Sequence, residues 1–469
     1  MSRINTNVNS LVAQRVLSQN NASLNKSLER LSTGLKINSG ADNPAGLIAS
    51  ENLRAEKTGI TAALNNAERA GNIIATAEGG LAEVGNLLNE LQGLVVETAN
   101  SGGLSAEELE ANQLQVDGIL NTINRLAGSV NFQGQKLLDG TYGYETSGTN
   151  LSSVNNLRVN SARLPDGSTQ AVTVQVTGSA QVASIATAAG ATLSAAVTIE
   201  VAGNKGTEQL SFLSSAAISS VAAGINALKD VTGVEATVSG TSLRIDSTGF
   251  GSDQFVKVTA ISGGGFNGGT GSDEGQDATV SVNGGEASVD GLSVKYRSSN
   301  LDVEFDLIEG ANYNGSTVAK SFSVVAGGAD FSLGSKVSET EKASIGINSV
   351  STGSLGLDGS FLSSIASGGA NSLTSGNFTT AQEALSESIK QVSQARGRLG
   401  SFQKFTIGST VNQLGVAFEN ASAAESAIRD ADFALETAEL TRSQILAQAS
   451  TTVLAQANQQ PQRVLSLLG

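Results

Sequence analysis

The sequence predicts an α+β fold with a nested architecture, in which long paired helices at the two ends enclose a β-rich insert. Three observations carry this. Residues 2–100 and 380–469 are rich in Ala, Leu, Asn, Gln and Ser and contain only Pro44 and Pro461. Their apolar residues recur at alternating steps of three and four, the pattern of a helix that packs along another helix. Between them, runs of period two bounded by Gly, Asn and Ser occupy residues 171–333, as strands do. A chain of 469 residues is too long for one core and divides into several domains.

At the N-terminus, residues 1–38 read as one helix, with Leu24, Leu28, Leu31 and Leu35 as its stripe. The segment Ser39-Gly40-Ala41-Asp42-Asn43 breaks it. Asn43 followed by Pro44 restarts it, because Asn accepts from free N–H groups at an N-cap and Pro lacks an N–H where none is needed. Ile60, Leu64, Ala67, Ile74, Leu81, Leu88 and Val95 then hold a nearly fixed phase to about Ala99, a rod of roughly 80 Å at about 1.5 Å per residue. Gly59, Gly71, Gly79, Gly80, Gly85 and Gly93 weaken this rod by up to about 1 kcal/mol each relative to Ala, which predicts close approach of a partner helix. Residues 100–103 turn the chain. Ser105 and Glu108 form a capping box for a second helix striped by Leu109, Val116, Ile119, Ile123 and Leu126.

After Gly128 the pattern changes to strand and turn from Val130 to Leu138. Strands are expected at 171–177, 192–202, 236–247, 254–261, 278–282, 301–307 and 321–325, with one helix at 216–228 carrying Ile218, Val221, Ile225 and Leu228 on one face. From Thr380, with Glu383 as a second capping box, a helical pattern resumes and runs towards Gln460. Ile428, Ala431, Leu435, Ala438, Ile445 and Ala449 form most of its stripe. Neither terminal stripe can be buried alone, so each pairs with the other or with neighbouring copies. That is the design of a building block.

Composition narrows the function. The chain has no Cys, His or Trp and a net charge of −15. Without Cys or His there is no Ser-His-Asp triad, no thiolate nucleophile and no imidazole or thiolate zinc site. Carboxylates alone leave a glycosidase-like pair or an all-oxygen Ca²⁺ site open by residue count, but no catalytic, cofactor or metal residue is singled out, and the expectation is a non-enzyme without cofactor. Residues 1–43 hold five basic side chains against two acidic ones, whereas residues 141–375 hold 11 against 21. An acidic middle repels nucleic acid and anionic membranes, so neither is an expected partner. Ile4–Gln19 lacks the apolar run of a secretory signal, and no stretch of eighteen apolar residues exists to span a membrane. Export, if it occurs, takes another route.

The terminal residues resemble those of bacterial flagellin. The N-terminal resemblance lies in the runs SRINTNVNS from Ser2 to Ser10 and LSTGLKINSGADNPAG from Leu31 to Gly46. At the other end it lies in SAIRDAD from Ser426 to Asp432 and AQANQQPQRVLSLL from Ala455 to Leu468. It covers about the first 140 and last 90 residues. The segment Thr198–Ala260, with AGINA at 223–227 and TGVEATV at 232–238, is similar to a repeat in the variable region of some flagellins; Ala326–Gly334 resembles the strand that returns the chain to the helical part.

The resemblance implies a subunit of the flagellar filament, exported unfolded by the flagellar type III system and so without a cleavable signal. Residues 1–43 with 421–469 match the D0 coiled coil of the filament core, 44–165 with 330–420 the D1 rod with its β-hairpin, and 166–329 the outer D2 domain. Core packing between subunits then falls to Leu24, Leu28, Leu31, Leu35, Ile428, Leu435, Ile445, Leu446, Val453, Leu454, Val464, Leu465, Leu467 and Leu468. The implied partners are further copies of the chain, an export chaperone gripping the C-terminal segment, the cap and hook–filament junction proteins, and host innate receptors. Two alternatives stay open at this stage: a hook–filament junction protein, and a filament subunit whose outer domain is also an adhesin. A filament-borne peptidase of the HExxH type is ruled out by the lack of His. Flagellins that activate Toll-like receptor 5 present an Arg, a Leu and a Glu on D1; here Leu94 keeps the Leu, but Glu90 stands where the Arg belongs and Gln115 where the Glu belongs.

Overall fold

A computed structural model describes the chain except residues 1–5, 101–102, 149–153, 165–167, 188–191, 264–265, 267–269, 310–319, 358 and 467–469, and the side chains of 187, 320 and 461–466. The helices are α1 (Val8–Thr33), α2 (Pro44–Ala99), α3 (Ala106–Ser129), α4 (Ile218–Ala227), the short α5 (Lys229–Thr232), α6 (Phe378–Ser401), α7 (Gly408–Arg429) and α8 (Phe433–Ser466). Residues 1–69, 332–341 and 407–469 form one compact unit; residues 70–331 and 342–406 form another.

In the first unit, α1 runs antiparallel to α8. The Asn7 side chain caps the start of α1 through the Ser10 N–H at 3.1 Å, and Gly34 ends it in the left-handed conformation at φ 73°. The helix is thus shorter than the 1–38 read from the sequence, because the glycine stop acts before the Ser39–Asn43 break. Pro44 restarts the chain as expected, with Asn43 Oδ1 accepting from the Gly46 N–H at 3.0 Å. Ile60 and Ala63 of α2 pack on Leu414 of α7, with Leu64, Ala417 and Phe418 alongside. Lys57 Nζ reaches Glu425 at 2.8 Å and lies 5.4 Å from the Phe418 ring centre.

In the second unit, α2, α3 and α6 bury their apolar faces, including Ile74, Leu81, Leu88 and Val95 of α2. The Ser105–Glu108 capping box is formed in both directions. Asn112 Nδ2 donates to Thr98 Oγ1 at 3.1 Å, and Arg396 bonds Glu78 at 2.8 Å. The Thr380–Glu383 box is not used: α6 begins a turn earlier at Phe378, so both residues lie inside the helix. Nor does one helix run on from there. A π-helical turn, Phe402–Ile407, separates α6 from α7, and Asp430–Asp432 separates α7 from α8.

The α2 glycines have two environments. A Cβ on Gly80 would sit 2.8 Å from Leu138 Cδ1 and 2.9 Å from Val130 Cγ2, and one on Gly59 only 2.4 Å from the Ser335 carbonyl oxygen. Gly71, Gly79 and Gly93 have nothing within 4 Å. The close neighbours are therefore a hairpin flank and a loop; the helix that the sequence suggested comes only into ordinary contact, at Gly85, where Val392 and Arg396 of α6 would lie 4.0 Å from a Cβ.

The β-rich insert is a lobe within a lobe. Strands 154–162, 170–178, 279–282, 285–286, 288–290, 293–297, 301–307 and 320–327 form a five-stranded and a four-stranded sheet, the former completed by 144–147. Val159, Val172, Val174, Val280, Val303, Phe305 and Val324 fill the core they share. The strands at 144–147 and 154–162 pair with 320–327 and 301–307, although both precede the expected start of D2 at residue 166. Every strand between Gln181 and Gln276, together with α4 and α5, belongs to a second lobe with its own core around Ile199, Val221, Ile225, Leu243 and Val256. Its two connections meet at a neck, where Gln181 and Gln276 exchange backbone hydrogen bonds of 2.8 and 3.0 Å. The run 236–247, read as one strand, folds as a hairpin about Gly240 at φ 63°. The edge strand 207–212 escaped notice because its exposed Thr207, Gln209 and Ser211 leave it little apolar signal.

Candidate assembly surface

The pairing of α1 with α8 follows two uninterrupted heptad seams. On α1 the inward positions are Ser10, Ala13, Leu17, Asn20, Leu24, Ser27 and Leu31; on α8 they are Glu436, Leu440, Ser443, Ala447, Ser450, Leu454 and Ala457. Steps of three and four keep a seam facing its partner over many turns. Ser and Ala at half of these positions let the backbones approach, and polar residues add cross-links. Asn7 Nδ2 donates to the Ala457 carbonyl at 2.8 Å, Ser10 Oγ to Asn458 Oδ1 at 2.7 Å and Asn20 Nδ2 to Ser450 Oγ at 2.6 Å.

At the far end the two helix breaks are strapped together. The Lys36 N–H donates to the Arg429 carbonyl at 2.6 Å and the Ala431 N–H to the Gly34 carbonyl at 2.9 Å. Lys26 stands 2.9 Å from Asp42, whose carboxylate also accepts from the Asn38 and Ser39 N–H groups at 3.2 and 3.0 Å. Lys26 first, and then these N–H groups, hold Asp42 well below the usual carboxylate range. Arg429 bonds Glu51 at 2.9 Å, and Asp432 Oδ1 accepts from the Ala434 and Leu435 N–H groups at 2.9 and 3.2 Å. Arg429 and Asp432 thus have duties inside the chain. Arg30 and the buried Glu436 lie 3.6 Å apart, and Arg30 Nε and Glu436 Oε1 lack hydrogen-bond partners. Such a pair, with Glu436 buried and Arg30 half-buried, recovers little of its desolvation cost.

The large apolar residues singled out from the sequence divide between two places. Leu24, Leu31 and Leu454 are half-buried in the seam, and Leu35 and Ile428 are half-buried near the breaks. Leu28, Leu435, Ile445, Leu446 and Val453 point away from it and are 47, 70, 63, 42 and 56% exposed. Val8, Leu11, Val12 and Val16 of α1 are exposed too. Val12, Val16, Leu446 and Val453 line a shallow groove of about 560 Å³ between the helices. Val464 and Leu465 lie on α8 without described side chains, and Leu467 and Leu468 lie outside the described residues. Sequence reasoning found Leu24, Leu31 and Leu454 but missed the small and polar inward positions, because it followed bulk. Their signal was an unbroken three-four spacing in which Ser, Ala and Asn interleave with Leu.

On the second unit, Glu90 and Gln115 are exposed and Leu94 is half-buried. The Asn112–Thr98 bond sets Leu94 one turn along α2, and Gln115 about one turn along α3, from the point where these helices cross-link. Among the described residues no group of three or more acidic side chains is placed to hold a metal ion, and no helix is long and apolar enough to cross a membrane.

Long terminal helices paired by seams, with apolar faces left open outside those seams, define a protein that assembles with its own kind. The bacterial flagellin N-terminal helical region matches residues 4–143 and the C-terminal helical region residues 383–468. Similarity extends over the whole chain: flagellin D of Vibrio anguillarum is 29% identical, flagellin B of Vibrio cholerae 30% and a flagellin of Salmonella rubislaw 28%, each with 99% of both chains covered. The chain belongs to the bacterial flagellin family and is a structural subunit of the flagellar filament.

Proposed function

We propose that the filament core is built by the face of α1 and α8 that the intrachain seam leaves open. The observation that carries this is the set Leu28, Leu435, Ile445, Leu446 and Val453, large side chains exposed outside the seam. Apolar area of this extent on two adjacent helices is stabilised by burial against further copies. In this reading residues 1–43 and 421–469 form D0, 44–165 and 330–420 form D1, and 166–329 form D2, whose sheets pair with the strands at 144–147 and 154–162 of D1. The chain leaves the cell unfolded through the flagellar type III channel; a chain without disulfides and with 3 Pro suits that passage. An export chaperone holds the C-terminal segment, cap and junction proteins meet the filament ends, and no catalysis is involved. The test is removal of residues 450–469. The shortened chain should remain soluble and folded in its second unit yet fail to polymerise on seeds, whereas normal filaments would contradict the proposal.

A further inference from the structure

Within the second unit, Arg158 of strand 154–162 and Arg398 of α6 line one cavity of about 220 Å³, together with Tyr144, Asn348, Ser349 and Gln394. Arg398 donates through Nη1 to Oδ1 of the buried Asn160, whose Nδ2 donates onward to Asp302 at 3.1 Å. Its Nε is buried without a hydrogen-bond partner. The carboxylates around the pair make their direct contacts to other groups: Asp302 to Arg297 at 2.7 Å, Glu304 to Lys295 at 3.7 Å, Glu387 to Lys390 at 3.2 Å and Asp306 to Asn156 at 2.8 Å. Among the described residues neither Arg158 nor Arg398 closes an ion pair of its own. Five cations thus face four carboxylates, and two of the cations are held in a cleft. Burial disfavours the charged form of both guanidiniums; Glu387, Glu304 and Asp306 counter it at Arg158, and Asp302 and Glu304 at Arg398, where Arg158 and Arg297 add to it.

Two guanidiniums sharing a cleft, with donor capacity unused, are the donor set that oxyanions take, because planar N–H forks match pairs of oxygen atoms. We propose that this cavity binds a small oxyanion of phosphate or sulfate size, held between Arg158 and Arg398. The bound anion would join α6 to the first strand of the insert, stiffening the base from which both lobes project.

Isothermal titration calorimetry of the full-chain monomer tests this, with sodium phosphate and sodium sulfate as probes and sodium chloride keeping the ionic strength constant. Saturable binding of both probes is expected, weakened about tenfold or more in Arg158→Gln and in Arg398→Gln, since each loses a charged partner worth more than about 1.4 kcal/mol. Circular dichroism shows which variants are folded. Arg398→Lys, which keeps the charge but loses the fork, gives an intermediate affinity and serves if Arg398→Gln unfolds. The proposal is overturned by the absence of saturable heat, by heat unchanged in the folded variants, or by equal heat from chloride.

Discussion

Ile445→Ala separates subunit folding from subunit assembly. Ile445 is 63% exposed on α8 and lies off the α1 seam, so truncating it removes little that the monomer buries. Alanine is also the better helix former, and monomer stability should stay within about 0.5 kcal/mol of the parent, as surface changes do. In the proposed filament core the same side chain is covered. Full burial of an isoleucine contributes about 1.5–3 kcal/mol; the exposed share corresponds to about 1–2 kcal/mol, a factor of roughly 5–30 in an association constant. The assay is sedimentation of polymer grown on filament seeds, with the critical concentration read for parent and variant, and thermal unfolding by circular dichroism as the monomer control. A raised critical concentration with an unchanged monomer midpoint is expected. An unchanged critical concentration would refute the reasoning for this face, and a lowered monomer midpoint would show that Ile445 already packs within the subunit. Ala447→Leu on the seam supplies the contrast, because overpacking there should cost about 1–3 kcal/mol within the subunit itself.

Joining Gln181 to Gln276 through a short Gly linker, with residues between them removed, should leave the remaining sheets folded and polymerisation intact, because the excised lobe has its own core and both its connections pass one neck; loss of assembly by an exported, folded product would show that this lobe holds the filament together. Asp42→Asn should speed hydrogen exchange at the Asn38 and Ser39 amides at neutral pH. Because the folded pKa of Asp42 is depressed, the parent keeps this contribution above the ordinary carboxylate pKa of about 3.9 and loses it as pH falls below; exchange that is insensitive to both changes counts against it. On the second unit, monomers should activate Toll-like receptor 5 weakly, and Glu90→Arg with Gln115→Glu should raise the response in a reporter-cell titration. A strong response from the parent, unaffected by the exchange, would show that Glu90 and Gln115 do not occupy the receptor-facing positions.

Much of the helical frame was legible because its signals are local. Pro44 and the Ser105–Glu108 box act on their own turn of chain, and both mark helix starts in the structure. The seven-residue march from Ile60 through Ala67, Ile74, Leu81 and Leu88 to Val95 survived because every step is buried. The strand at 301–307 was equally plain, with Leu301, Val303, Phe305 and Leu307 all buried. What stayed hidden depends on distant partners. Half of the α1–α8 seam is Ser and Ala, whose contribution lies in proximity and hydrogen bonding, so a search for bulk finds its leucines and adds others from the neighbouring face. The pair Arg158 and Arg398 is separated by most of the insert in sequence, and nothing local marks either residue. Thr380–Glu383 was a false start, since a capping box signals a helix terminus only where the chain before it leaves the helical path.

The central claim, that the open face of α1 and α8 is the surface on which copies of this chain assemble, is tested most directly by electron cryomicroscopy of filaments grown from the purified protein. The reconstruction should show Leu28, Leu435, Ile445, Leu446 and Val453 buried against α1 and α8 of neighbouring copies around the filament axis. A filament held together elsewhere, with those five side chains still facing solvent, would contradict it.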